Sequence, residues 1–358
     1  MKIALIGLPK SGKTTIFNAL TKSEIAVDKY LPPADEENIG IVTVYDERIT
    51  RLCEIYEPKK VVNAIIEFHD FPGIFGKQDE HPDLRLMTNI KNCEAFALIL
   101  RGFPDAELDS LHGKMDPVRN LESFMDEMII NDMVLVEKRL EGIELSYKRG
   151  VKTAAIQIEE KTLRMILSHL QENKSINSLE LAPEERQAIR GLQFYSTKPV
   201  LVLLNVNEND INTPNEALEK IRSMGYLAEA IAGSFEAELS LLDEDEAKLF
   251  MADIGIENSI TDRVSMLSYN LMGLISFFTA GPKELHVWTL RKGSNAVTAA
   301  GKIHSDLARG FIRAECFNFT DIDTHGTEKA LREKGLFRLE GKDYIVQDGD
   351  ILNIRFNI

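Results

Sequence analysis

Residues 2–15 read KIALIGLPKSGKTT: an apolar run that ends at Gly7, followed by a glycine-bounded loop and then a helical pattern. The run predicts a buried parallel strand over 2–6, and the pattern after it predicts a helix over 14–21. Between them, Gly7-Leu8-Pro9-Lys10-Ser11-Gly12-Lys13-Thr14 matches GxxxxGK[ST]. The chemistry needs these residue types at this spacing. Two glycines let the backbone fold closely around a phosphate with its N–H groups inward, a lysine reaches the β/γ oxygens, and a threonine hydroxyl ligates Mg²⁺. Gly7, Lys10, Ser11, Gly12, Lys13, Thr14 and Thr15 are therefore expected to bind the nucleotide, with Thr14 also a metal ligand.

Two later stretches extend the site. Asp70-Phe71-Pro72-Gly73 follows an apolar run and has the DxxG form of nucleotide switches, in which the Asp holds Mg²⁺ and the Gly N–H meets the γ-phosphate. This makes Asp70 the second expected metal ligand and Gly73 a phosphate contact. Asn205-Val206-Asn207-Glu208 ends another apolar run where nucleotide-binding sheets of this plan carry a base-reading NKxD motif. A guanine site needs an Asp carboxylate to accept from N1–H and the exocyclic amine. Glu208 stands there instead, with Val206 in place of the lysine that lies along the ring. Because sites built on hydrogen bonds discriminate strongly, the guanine reading is weakened. Asn205, Val206 and Glu208 are expected on the base side, together with Gly233 and Ser234 of the next loop.

With 358 residues the chain exceeds the size of one ordinary core, so two or three domains are expected. Further parallel strands are predicted over 61–68, 95–100, 200–204 and 227–231. Between the strand over 95–100 and that over 200–204, apolar residues recur at helical spacing over 117–149 and 151–172. This predicts two long antiparallel helices joined near Gly150, with a short helix at 183–192 before the return to the sheet. After Gly281-Pro282 the pattern shortens to alternating stretches over 285–290, 312–317, 343–346 and 351–356 around a helix at 296–308, which predicts a small α+β module. The expected domains are 1–116 with 196–281, 117–195, and 282–358.

Composition narrows the partners. No run of eighteen apolar residues spans a bilayer, and Cys53, Cys93 and Cys316 form no CxxC pair, so a reducing, cytoplasmic setting without membrane attachment is expected. The formal charge of −15 disfavours broad nucleic-acid binding. The balance is uneven: residues 283–358 hold twelve Lys and Arg against eleven Asp and Glu, a net of +1, which leaves −16 for the first 282. An RNA contact is better placed on the C-terminal segment.

Read together, GLPKSGKTTIFNAL, IGIVTVYDERI, DFPGI, MDPVRNLE, PVLVLLNVNE, FEAELSLLDEDE, FFTAGPKELHVWT, AAGKIHSDLARGFIRAE and RLEGKDYIVQDGDILNIRFN resemble the YchF, or Obg-like ATPase, branch of the Obg-related P-loop proteins over nearly the whole chain. The resemblance implies a Ras-like P-loop domain with a parallel sheet, an inserted antiparallel helical arm, and a C-terminal TGS domain of ubiquitin-like β-grasp form. It also implies preference for ATP over GTP through the NxxE motif, slow Mg²⁺-dependent hydrolysis, and association with ribosomes, the arm and TGS domain forming the partner surface. In the TGS-like span Trp288, His304, Arg309, Arg313 and Lys342 are the residues an RNA contact would draw on; they are equally core and surface residues.

Four positions depart from the family pattern or from its Ras-like relatives. Ala34 occupies the switch I threonine position, leaving Asp35 or a water to complete the metal shell. Lys10 replaces an asparagine; it either lies beside the phosphates as an added cation or faces solvent. Ile74 follows DFPG where Ras-like proteins place a water-orienting glutamine. Ser110 aligns with a loop histidine linked to hydrolysis in the family, while His112 lies two residues on and His81 elsewhere. Lys10 and His112 are the candidate catalytic groups. The alternative function is a nucleotide-binding module with little or no hydrolysis; a metabolic kinase is disfavoured because no acceptor base can be named.

Overall fold

A computed structural model describes residues 1–23, 37–71, 89–112 and 114–357. β1 (Lys2–Gly7) runs parallel to β4 (Ile65–Asp70) on one side and β5 (Ala95–Arg101) on the other; β5 pairs β6 (Val200–Asn205), and β6 pairs β7 (Leu227–Ile231), all in parallel. With β2 (Asn38–Thr43) at one edge, the order is β2-β4-β1-β5-β6-β7. Every residue of β6 is buried, as are all but the last of β5, which is why these strands read as continuous apolar runs instead of alternating ones. The loop after β1 enters α1 (Lys13–Thr21), whose Ile16, Phe17, Ala19 and Leu20 are buried.

The expected strand over 61–68 is divided. β3 (Val61–Val62) pairs with a strand of a second sheet, and only β4 joins the first. At the break, the Ala64 carbonyl accepts from Val44 N at 2.9 Å, a partner that local periodicity does not reveal.

The helical insertion forms as expected. α4 (Pro117–Lys148) starts on Asp116, whose carboxylate accepts from Arg119 N at 3.0 Å, with Pro at the first position where its missing N–H costs nothing. α5 (Ala154–Gln171) returns antiparallel, since Arg139 meets Glu159 at 2.7 Å and Asn173 meets Asp126 at 2.9 Å. Ile129, Val136, Leu140 and Ile143 pack on Leu163, Ile166 and Leu170, and Gly150 turns the chain at φ 81°. α6 (Pro183–Ile189) follows, with the Glu185 side chain accepting from Ala182 N at 2.9 Å.

Leu121, Phe124 and Met128 of α4 pack into the core of the first sheet, and a buried carboxylate ties the insertion where the chain returns. Asp132 of α4 is fully buried and accepts from Tyr195 N and Ser196 N, each at 2.8 Å, where the chain returns toward β6. Burial raises its carboxyl above the usual range, against the pull of those N–H groups and of Lys91. Lys198 adds hydrogen bonds to the carbonyls of Lys91, at 2.6 Å, and of Cys93. Asp132→Ala leaves two buried N–H groups without acceptors, and is expected to cost ~2–4 kcal/mol. A urea denaturation midpoint at the wild-type value would remove Asp132 from this role.

The second sheet has the order β11-β10-β12-β8-β9-β3, with β8 (Leu274–Ala280), β9 (Leu285–Arg291), β10 (Phe311–Asn318), β11 (Arg338–Glu340) and β12 (Asp350–Phe356). β8–β9, β10–β11 and β10–β12 are antiparallel, whereas β8–β12 and β3–β9 are parallel, giving a mixed sheet. Residues 343–346, expected as a strand, make only the isolated bridge Asn295↔Ile345. The helix expected over 296–308 is broken at His304, whose backbone is extended (φ −163°, ψ 142°) and whose Nδ1 accepts from Asp306 N at 3.2 Å. Two shorter helices result, α11 (Ala296–Ile303) and α12 (Ser305–Arg309).

The chain divides into two compact units: residues 1–40 with 67–260, and 41–66 with 261–358. Residues 41–66 and 261–281, which the sequence reading grouped with the nucleotide domain, belong to the second unit. Its core explains why. α2 (Arg48–Tyr56) buries Leu52 among Phe278, Val287, Phe317, Ile322 and Ile351, and Arg48 pairs with Asp46 and Asp348 at 2.7 and 2.8 Å.

Candidate nucleotide-binding site

The loop from β1 to α1 is shaped by two positions that tolerate no side chain. A Cβ on Gly7 would lie 2.6 Å from the Ile99 carbonyl oxygen and 2.7 Å from Ser11 Oγ; one on Gly12, at φ 90°, would meet the Asn205 amide. Lys10 also takes a left-handed conformation, at φ 62°. Ser11 N donates to Leu8 O at 3.2 Å, closing the turn, and Ile16 N donates to Gly12 O at 2.9 Å as α1 begins. The loop thus delivers a helix N-terminus, with its unpaired N–H groups and positive dipole end, to the C-terminal edge of the sheet.

Charged and hydroxyl groups converge there. The Lys13 ammonium donates to the Asp70 carboxylate at the end of β4 and to the Phe71 carbonyl. Thr14 Oγ1 donates to the other Asp70 oxygen at 3.3 Å. Lys13 and Asp70 side chains are 10% and 4% exposed, so the pair is well screened from water. The Ser11 hydroxyl is buried with no hydrogen-bond partner among the described residues, and Thr15 sits half-buried one residue beyond Thr14. The donor set fits a Mg²⁺-bound polyphosphate: a hydroxyl and a carboxylate meeting at one point suit a hard cation, while a buried ammonium and an unspent hydroxyl suit phosphate oxygens.

Asn205, at the end of β6, does more than its sequence position suggested. Its Nδ2 donates to Ser11 O and its Oδ1 accepts from Gly233 N, each at 2.9 Å. One buried amide therefore ties the phosphate loop to the loop that starts α8 (Gly233–Leu239). Val206 is buried and its N–H donates to Ile231 O at 2.9 Å; Glu208 and Ser234 are exposed at the same end of the sheet, Glu208 opening a short 3-10 turn. The structure brings together Gly7, Ser11, Gly12, Lys13, Thr14, Asp70, Asn205 and Gly233.

Lys10, a candidate catalytic group, pairs outside that cluster. Lys10 is exposed, its Nζ 4.0 Å from Glu107 on α3 (Ala106–His112). α3 starts on Asp105, whose carboxylate accepts from Leu108 N and Glu107 N at 3.1 and 3.0 Å, bonds that hold it below the usual range. Ser110 lies in α3 and His112 is its last residue. Arg101, at the end of β5, reaches Asp109 at 2.5 Å, a link that no motif announced. Ala34, Asp35, Gly73, Ile74 and His81 lie outside the described residues.

Comparison with known proteins agrees with this geometry. Residues 2–139 match a family model described as 50S ribosome-binding GTPase, and residues 274–357 match the YchF-GTPase C-terminal model, described as a protein of unknown function. The chain is 36% identical to the Ribosome-binding ATPase YchF of Bacillus subtilis, over 99% of this chain and 98% of that one. It is 34% identical to the protein of the same name from Escherichia coli O157:H7, over 100% and 99%. The solved structure of the Schizosaccharomyces pombe YchF GTPase superposes with a TM-score of 0.81 at 30% identity, covering 99% of this chain and 97% of that one. With a phosphate-loop sheet at its N-terminal end, a helical insertion and a second mixed sheet, the chain belongs to the YchF family.

Proposed function

We propose that this chain is a Mg²⁺-dependent nucleoside triphosphatase that binds and slowly hydrolyses ATP in preference to GTP and associates with ribosomes. The observation that carries the reading is the meeting of Lys13, Thr14 and Asp70 at the N-terminus of α1. The names of the bacterial relatives, ribosome-binding ATPases, support both the reaction and the partner.

Gly7, Ser11, Gly12 and Thr15 bind the phosphates through backbone N–H groups and hydroxyls, and Lys13 transfers its ammonium from Asp70 to phosphate oxygens. Asp70, released from that pair, would hold Mg²⁺ with Thr14, and the ion would supply positive charge to offset that of the phosphates. Asn205 keeps the phosphate loop and the Gly233–Ser234 loop in register. Glu208 beside Val206 accepts from the adenine amino group, a pairing guanine's carbonyl cannot make. Lys10, turned from Glu107, adds a cation near the phosphates.

A titration of the full chain with ATP and GTP in Mg²⁺ is expected to give an ATP dissociation constant at least about tenfold lower, ~1.4 kcal/mol. Equal constants would remove Glu208 from base choice. Phosphate release from ATP measured with and without ribosomes then tests reaction and partner together. Ile74, an apolar side chain where related enzymes orient water, favours the second reading of a binding module without turnover. Single-turnover phosphate release no faster than in buffer, under saturating binding, would select it.

The arm (117–195) and the C-terminal segment (282–358), the latter a TGS domain, supply the ribosomal surface in this proposal. His286 stacks on Trp288 at 3.6 Å between centroids, while Arg313 and Lys342 are exposed; the near-neutral charge of this segment permits an RNA contact that the acidic remainder opposes.

A further inference from the structure

β12 is paired along more of its length on one side than on the other. Along β10 it is registered from Asp350 to Phe356. Along β8 it is registered at Ile351 alone, opposite Phe278. β8 stops at Ala280 because Gly281-Pro282 follows; Pro282 has no N–H for a ladder, and its carbonyl instead accepts from Lys59 N at 3.2 Å, which carries the chain toward β3. Continued in that register, β8 reaches Asn353 with its last residue, Ala280, and residues 354–356 keep one edge with no strand registered on it among the described residues.

A cavity of about 350 Å³ lies against that edge, within the size range of ligand sites. Its lining shows where it sits. Ile303 and Leu307 belong to two apolar clusters that share Ile354 of β12, and Phe317 and Phe337 to the cluster that holds Ile351, yet all four line this one cavity with Thr279, Ala280 and residues 351–354. Consecutive strand residues point to opposite faces, so a cavity lined by both Ile351 and Leu352 lies in the plane of the sheet. It is the row that β8 would fill if it continued.

We propose that this slot binds an extended peptide of a partner protein, which joins the sheet beside β12 in line with β8 and carries a lysine or arginine toward Glu328. The backbone edge selects the class of ligand: in-plane N–H and C=O groups of a strand are matched by another strand. Apolar walls above and below take its alternating side chains. Charge selects the basic residue. Glu328 is the one ionisable side chain in the lining, and its carboxylate accepts from Tyr56 OH at 3.1 Å, a hydroxyl that burial keeps protonated. Arg332, 3.7 Å from the other oxygen, is stacked on the Phe337 ring at 3.5 Å, and both side chains of that ion pair remain partly exposed, leaving Glu328 open to a second cation.

The test uses the full chain and an acetylated, amidated Val-Thr-Val-Lys-Val probe, with hydrogen exchange read by mass spectrometry. The expected result is slowed exchange over residues 352–357, lost when the probe's alternate amides are N-methylated and weakened at least tenfold by Leu307→Trp, which fills the slot from one face. Glu328→Gln is expected to weaken the lysine probe but not its norleucine analogue. Equal binding of the N-methylated probe, protection elsewhere, or no protection at millimolar probe overturns the proposal. Self-association of the free chain that Leu307→Trp abolishes would assign the slot to a second copy and overturn it as well. Should Leu307→Trp not fold, the N-methylated comparison on the unaltered chain decides alone.

Discussion

Lys13→Ala is expected to weaken ATP binding at least about 100-fold, measured by calorimetry in Mg²⁺. Two charge-assisted contacts to phosphate oxygens contribute ~1.5 kcal/mol each or more, and ~2.7 kcal/mol is a hundredfold. The ammonium also neutralises Asp70, whose side chain is 4% exposed. Without it the free protein holds a buried, unpaired carboxylate beside the phosphate site until Mg²⁺ reaches it, so binding should depend more steeply on Mg²⁺. Because breaking a buried pair also destabilises the fold, the affinity must be read beside a thermal melt. Asp70→Asn separates the effects: it keeps the shape and removes the charge, so ATP binding should persist while its Mg²⁺ dependence falls. Unchanged calorimetry for Lys13→Ala in a folded protein would remove the phosphate site from this loop.

What the sequence made legible was local. The strand, the glycine loop and the helix start all lie within residues 2–21, and each is decided by neighbours a few positions away. Long insertions with helical period are legible for the same reason, as α4 and α5 show. The misses share the opposite property. Residues 61–68 read as one apolar run, and what divides them is pairing of Val61 with Leu285 and of Ala64 with Val44. Residues 343–346 have strand-like alternation but no neighbouring strand to complete a ladder. His304 looks like a helix interior residue until its ring takes the Asp306 N–H and ends one helix to begin another. The assignment of 41–66 to the second unit rests on Leu52 and Arg48 meeting residues more than two hundred positions later. Periodicity carries no information at that separation.

Asn205 is the sharpest instance, and it yields the second large effect. The sequence marked it as a base-side residue; the structure spends both ends of its amide on protein backbone, at Ser11 and Gly233. Ser11 is 194 positions away, and no motif encodes the bond. Asn205→Ala leaves a buried carbonyl and a buried N–H unsatisfied and opens space beside Gly12, for an expected loss of ~2–4 kcal/mol in stability. The phosphate loop would then lose the tie that holds its conformation before ligand arrives, so ATP affinity should fall about tenfold or more through preorganisation alone. Asn205→Asp tests the cause more finely. It preserves the acceptor for Gly233 N but turns a carboxylate oxygen against the Ser11 carbonyl, so it should lose affinity while Ser11's side chain and Lys13 are untouched. A variant at this position with wild-type ATP affinity and wild-type melting would mean that the loop keeps its shape without the amide. Its form would then rest on Gly7, Gly12 and the Leu8–Ser11 turn.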